Sequence, residues 1–415
     1  MTTTRKKDAF PTGTALPVFY RTYSRGGKES WWDVCIRCVE GLVTLSAGHL
    51  KKEERSLLLN YAREIKALPS GRWLWVGGKP WVENPKNFSG AYNCTSINVK
   101  AYEDQSPWAA FGWLMELGMM GCGTGAVLEP KYIDTLPPIC NILQTNILGE
   151  PGEVHPNERL EDTEFTVNRN TLYILVGDSR EAWVAAYQIM LEAASNPNLG
   201  RELFVNIYLG NVRPYGEQLQ GFGGVANPAK LGWMFGAIAD VTNQAVGRQM
   251  NSLECCMAID IAAENTVAGN VRRSAGMRQG KYDDPNFVDA KLGLYLQDEA
   301  GDWYLPDARK SVLRIANHTR VFHHKPTLEE IQEAVAKQYF SGEGAIMWAG
   351  EAVYRCNRDL ISEGDRSTFL YLYNLGIERA EEFLAVAYLR YHGVPCSDEE
   401  LEHRMERYGT NPCGK

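Results

Sequence analysis

The chain has 415 residues, 44% of them hydrophobic and 23% charged, values ordinary for a soluble enzyme with room for two or three domain-sized units. A formal net charge of -8 opposes the general basic field that non-specific nucleic-acid binding needs, while leaving room for a local basic pocket for a phosphorylated small molecule. Ten cysteines, no apolar leader in "MTTTRKKDAFPTG" and no apolar run as long as a membrane span predict a cytoplasmic protein with mostly free thiols and neither nucleic-acid nor membrane partner.

After a polar arm, apolar residues at helical spacing in "ESWWDVCIRCVEGLVTL" and "KKEERSLLLNYAREIKAL" predict two helices, the second closed by Pro69, Ser70 and Gly71. "RWLWVGG" reads as the first strand, and the Pro, Asn and Gly of "KPWVENPKNFSGAYN" make a loop that delivers Cys94. Trp108 to Met120 is helical and ends in "GMMGCGTGAVLEP", whose glycines suit a backbone that closely approaches a ligand. Alternation around Asn168, Arg169 and Asn170 predicts a hairpin, followed by the helix "EAWVAAYQIMLEAAS" and a "GFGG" loop. A long helical pattern from Ala229 to Gly269, broken near Gly247 to Ser252, empties into the basic loop "NVRRSAGM". "LGLYL", "RIANHTRVFHH" and "GAIMWAG" are strand candidates, the last two separated by the helix "TLEEIQEAVAKQYF" and followed by helices rich in Glu and Arg. Strands alternating with helices predict an α/β barrel or layered sheet.

Cys94 and Cys413 sit on Gly/Asn/Pro-rich loops, which suits presented thiols, whereas Cys255 and Cys256 lie inside an apolar helix and read as packing. Cys35 and Cys38 form a CxxC, but within an amphipathic helix and without a second CxxC, so no metal site is expected. Strand alternation sends His323 and His324 to opposite faces, so these and His318 read as structural or surface groups. Arg272 and Arg273 could pair with phosphate or stack on a base, or could lie in a solvated loop. The commonest phosphate-loop, zinc-protease and serine-hydrolase motifs do not occur, which leaves an α/β enzyme with loop thiols.

Taken together and in order, "PSGRWLWVGG", "NFSGAYNCTS", "MMGCGTGAVLEP", "AGNVRRSAGM", "ANHTRVFHHKPTLEE", "SGEGAIMWAGEA" and "RYGTNPCG" closely resemble the monomeric, adenosylcobalamin-dependent class II ribonucleoside-triphosphate reductases. The resemblance implies the N-terminal portion of a ten-stranded α/β barrel, with an N-terminal helical region at 1–68 and a first barrel segment at 69–129. It further implies an insertion at 130–224 that stands in for a dimer partner and holds the effector, and a barrel continuation at 225–415. In that family the N-P-C-G cysteine tips a finger loop and becomes a thiyl radical when the cobalt–carbon bond of adenosylcobalamin homolyses; Cys413 matches it. Cys94 matches the first member of the dithiol that reduces the substrate, and Asn411 the finger-loop asparagine near the ribose hydroxyls. Pro69, Ser70, Asn93, Gly121, Cys122 and Gly123 match segments that hold the ribonucleoside triphosphate, and Asn270, Arg272, Arg273 and Ser274 match the specificity loop beside a deoxynucleotide effector.

At the last position the family has a glutamate that acts as general base, and in this chain that position is Lys415, whose ammonium has no acceptor. The second dithiol cysteine, most of the cobalamin site and the cysteine pair that takes electrons from a thioredoxin-like reductant belong to later family sequence. The chain therefore reads as an N-terminal part, interrupted in the finger loop by a split gene or an intron or intein boundary, inactive and aggregation-prone until a C-terminal half docks. Two other readings are a class I-type catalytic subunit with a separate radical subunit, and a non-catalytic nucleotide-binding fragment.

Overall fold

The first long helix, Trp31–Leu45, starts at a capping box: Ser30 Oγ accepts from Asp33 N, and Asp33 Oδ2 accepts from Ser30 N at 2.9 Å. Its face at i, i+3, i+4, i+7 and i+8 (Trp31, Val34, Cys35, Cys38 and Val39) is buried, as the periodicity predicts. The structure is a computed structural model that describes residues 10–217, 226–265 and 275–412. It divides into one unit ending at Asn93 and a second beginning at Cys94.

In the first unit Lys52–Arg63 is the second expected helix. The expected strand "RWLWVGG" is instead the helix Gly71–Val76. Ser70 caps it by accepting from Trp73 N, and Trp73, Leu74 and Val76 are buried, with the Trp73 indole donating to Cys38 O at 3.0 Å. Adjacent large apolar residues cannot all face one side of a strand, whereas one capped turn buries them together. Burial pushes the Cys35 thiol up to about 12 and the Cys38 thiol up to about 11, which marks that CxxC as packing.

Two larger sheets make up the strands of the second unit. β1 (Cys94–Asn98) and β2 (Gly123–Val127) are joined through the helix Ala109–Met119. β3 (Ile142–Leu148), β4 (Glu164–Asn168), β5 (Thr171–Leu175) and β6 (Glu202–Tyr208) form a separate four-stranded sheet in the order β3-β6-β5-β4. The predicted hairpin is the antiparallel β4–β5 pair, turned at Arg169 with φ 55°. The helices Leu231–Gln244 and Ser252–Asn265 lead to β7 (Gly276–Lys281). "LGLYL" contributes only β8 (Leu296–Gln297), paired with β9 (Trp303–Tyr304); Gly293 takes φ 69° and interrupts the run. β10 (Ala316–Phe322) and β11 (Ala345–Trp348) flank the helix Leu328–Ser341.

The principal sheet is wholly parallel in the order β1-β2-β7-β10-β11. This is the expected α/β class, with five strands rising side by side and β1 and β11 as its outer members. Every connection therefore has to cross over, and the connecting helices cover one face. No described helix is long and apolar enough to cross a membrane.

Candidate functional site

On a pleated sheet alternate residues share a face, so the register fixes which side chains meet. Cys94 pairs with Gly123, Ser96 with Gly125, and Asn98 with Val127; Met277 and Gln279 of β7 lie in the same rows. Onto this face comes the segment that follows the helix Asp398–Met405. Thr410 N donates to Gln279 Oε1 at 2.6 Å, and Thr410 Oγ1 lies 3.0 Å from Met277 Sδ. The absent side chains of Gly123 and Gly125 make the track: a Cβ at Gly125 would overlap the Thr410 carbonyl oxygen. A Cβ at Gly123 would lie 3.4 Å from Pro412 Cδ and 3.5 Å from Cys94 Sγ. Glycine is required at these positions for close approach of two backbones.

Cys94, Gly123 and the Asn411–Pro412 end of the loop therefore converge, with Asn411 buried at 7% exposure. Gly121, in a left-handed turn at φ 73°, and the fully buried Cys122 lead into the same strand. Amides near the glycines are occupied, Thr124 N by Ala275 O and Leu128 N by Gln279 O, so the space they leave admits the chain's own 409–412 segment. Ser96 Oγ and Thr319 Oγ1, both in rows of this face, are buried with no hydrogen-bond partner among the described residues.

Pro69, Ser70 and Asn93 belong to the first unit, where Ser70 is a helix cap and Asn93 Oδ1 accepts from Arg72 Nε at 2.6 Å. Cys413, Lys415, Asn270, Arg272, Arg273 and Ser274 lie outside the described residues. Sequence reasoning singled out the Gly121–Gly125 stretch as a close approach to a ligand, but missed that its guest is the 409–412 segment and missed Met277 and Gln279.

The opposite face of the sheet packs on the helix Ser252–Asn265. There Arg278 donates to Asp260 Oδ1 through Nε at 3.0 Å and Nη2 at 2.7 Å, both side chains fully buried. Cys256 Sγ lies 3.4 Å from His318 Nε2 and 3.6 Å from Asp260 Oδ2, and these three form a group with metal-ligand spacing. Burial, with Lys291 and Arg278 nearby, holds His318 well below its usual range, and burial raises the Cys256 thiol well above its own. A dication would have to displace a guanidinium already seated on the carboxylate, so the group is a packed polar cluster. Cys255 and Cys256 are both fully buried, as expected of packing residues.

Residues 152–242 match the family model described as "B12-dependent ribonucleotide reductase, insertion domain". Adenosylcobalamin-dependent ribonucleoside-triphosphate reductases of Lactobacillus delbrueckii subsp. bulgaricus and Lactobacillus leichmannii are each 26% identical over 317 residues, and that of Levilactobacillus brevis is 28% identical over 316. The chain is similar to the class II ribonucleotide reductases. Each of those alignments covers 66% of this chain and 42% of the relative, so the chain spans less than half the length of the class II reductases it matches. A crystal structure of a B12-dependent class II ribonucleotide reductase superimposes with a TM-score of 0.59 at 20% identity, covering 74% of this chain and 45% of the other, a likeness of fold.

Proposed function

We propose that this chain is the N-terminal part of an adenosylcobalamin-dependent ribonucleoside-triphosphate reductase, carrying the hydrogen-abstracting thiol at Cys413 and one member of the reducing dithiol at Cys94. The observation that supports the reading most is the meeting of Cys94 Sγ and Pro412 over Gly123, which brings the residue before Cys413 beside the second thiol. Cys94 is half-buried and Asn411 buried at this meeting point, and the shielding from water that a reactive intermediate needs would be completed by the C-terminal half.

In this reading the 2′-hydroxyl leaves as water, the 2′-carbon gains two electrons, and a dithiol is oxidised to a disulfide that a thioredoxin-like reductant reopens. Cys94 supplies one of the two sulfurs, and the other comes from reductase sequence outside this chain. Asn411, in the buried part of the loop, would bond the ribose hydroxyls, and the hydroxyls of Ser96 and Thr319, unpartnered among the described residues, would offer further contacts on that face. Gly121, Cys122 and Gly123 would border the substrate. The 152–242 insertion and the loop carrying Asn270, Arg272, Arg273 and Ser274 would bind the deoxynucleotide effector.

Adenosylcobalamin, when bound, supplies the radical equivalent that activates the thiol. The described residues do not form its cradle. The cavity of about 20 Å³ among Lys291, His318, Arg320, Lys337 and Glu343 lies on the far face of the sheet, is crossed by ion pairs and is far too small for a corrin plane. The cofactor is assigned to residues outside them, in the C-terminal half that this part needs for turnover.

The test is deoxynucleotide formation by the complete reductase, this chain joined to its C-terminal half, with adenosylcobalamin and a dithiol. Cys413→Ser abolishes turnover while nucleotide binding stays within about twofold, and Cys94→Ser stops sustained turnover. Deoxynucleotide production by the Cys413→Ser enzyme would refute the assignment.

A further inference from the structure

The base of the finger segment is tied down by a buried set of hydrogen bonds outside the motifs that suggested the function. Tyr408, five positions before Cys413, donates its hydroxyl to Glu129 Oε2 at 2.5 Å, and the Tyr132 hydroxyl lies 3.0 Å away. Both Glu129 oxygens lie 2.9 Å from His323 Nε2, whose ring partner Nδ1 lies 3.1 Å from the Tyr373 hydroxyl. Glu129 is 2% exposed and Tyr408 1%.

Glu129 lies two residues beyond the end of β2, and His323 directly follows β10. The carboxylate thus registers the loop's base to two strands at once, one of which carries Gly123 and Gly125 farther down. Packing alone would be served by an apolar residue, because a buried carboxylate is costly unless donors meet it. Tyr408 and His323, from two distant parts of the chain, converge on this one. Burial, reinforced by the Glu129 charge, raises the Tyr408 phenol well above its usual range, so it remains a donor across the working pH.

We propose that Glu129 is a positioning residue for the reactive thiol, acting through Tyr408 to hold residues 409–412 against β2; this rests on Cys413 being the hydrogen-abstracting thiol. The bond at Tyr408 and the Thr410 N to Gln279 Oε1 bond two residues later make a two-point clamp. With the first point lost, the segment pivots about the second, and Pro412 moves relative to Cys94.

The experiment is amide hydrogen exchange of Gly409, Thr410 and Asn411 in the full chain, beside the kinetics of the complete reductase. Tyr408→Phe, which keeps the ring, and Glu129→Leu raise exchange at these three amides by about tenfold, the consequence of losing one strong hydrogen bond. Peptides from β3 to β6 stay unchanged, and kcat falls by about tenfold with KM for the nucleotide within about twofold. Glu129→Gln, which still accepts from Tyr408 while His323 takes the other tautomer, restores both readouts. Unchanged exchange at 409–411 in both variants, or a rise shared equally by the distant peptides, would overturn the clamp. Local loosening in Tyr408→Phe together with full turnover by Cys413→Ser would keep the clamp and remove the role of Cys413.

Discussion

At Gly125 a single missing carbon decides whether the site assembles. A methyl there would overlap the Thr410 carbonyl oxygen, and because Gly125 is held in the β1-β2-β7 ladder the 409–412 segment is the side that must give way. Gly125→Ala is therefore expected to expel residues 409–412, lowering turnover of the complete enzyme by about 100-fold and stability by ~1–3 kcal/mol. Steady-state kinetics and urea unfolding check both, and a variant with normal turnover would show that the loop does not ride on this track. The importance of this stretch was legible in the sequence, because four glycines within "GMMGCGTGAV" have no other use. Their guest was not, because the identity of a segment arriving from nearly 300 positions later cannot be read from local spacing. Likewise alternation reads His323 as a structural or surface group, while its carboxylate partner Glu129 becomes evident only when β2 and β10 end at the same rim.

Among the elements, the long amphipathic helices and the β4–β5 hairpin follow directly from periodicity and turn chemistry. The helix Gly71–Val76 does not, because six residues are too few to separate a 3.6 from a 2.0 repeat, and tertiary burial of Trp73 decides. The same region contains a stored electrostatic cost. Burial first, then Arg37 and Arg25, lower the Lys79 ammonium to about 8 from 10.5. Between those two values the unfolded chain binds more protons than the folded one, so the stability of this unit rises as pH increases through that window. Lys79→Met is expected to stabilise it by ~1 kcal/mol at pH 7, a figure reduced for the partial exposure of the side chain, with the gain shrinking toward pH 10.5. Thermal unfolding of the two proteins at pH 7 and pH 10 checks this; an equal gain at both would mean that packing, not charge, is responsible.

Across the whole molecule, the fold class was legible because alternating strand and helix patterns permit few architectures, and the seven motif segments narrowed them to one family. The grouping into units was less so. Pro69, Ser70 and Asn93 look continuous with Cys94 in sequence, yet the first unit extends through Asn93, since the short helices after Ser70 pack within it. The helix Leu328–Ser341 buries only Ala334, while Leu328, Tyr339 and Phe340 are 66%, 82% and 79% exposed beside the outer strand β11. Such a face suits a chain that supplies one part of a larger barrel.

The central claim is that the finger segment delivers Cys413 to Cys94, and mild diamide oxidation of the full-length chain followed by peptide mass mapping tests it most directly. Of the ten cysteines, the account predicts that Cys94 and Cys413 are joined first, and that Gly125→Ala prevents the link. Alkylation of Cys413 at the rate of an exposed thiol, with Cys94 unpaired or joined elsewhere in the wild-type chain, would contradict it.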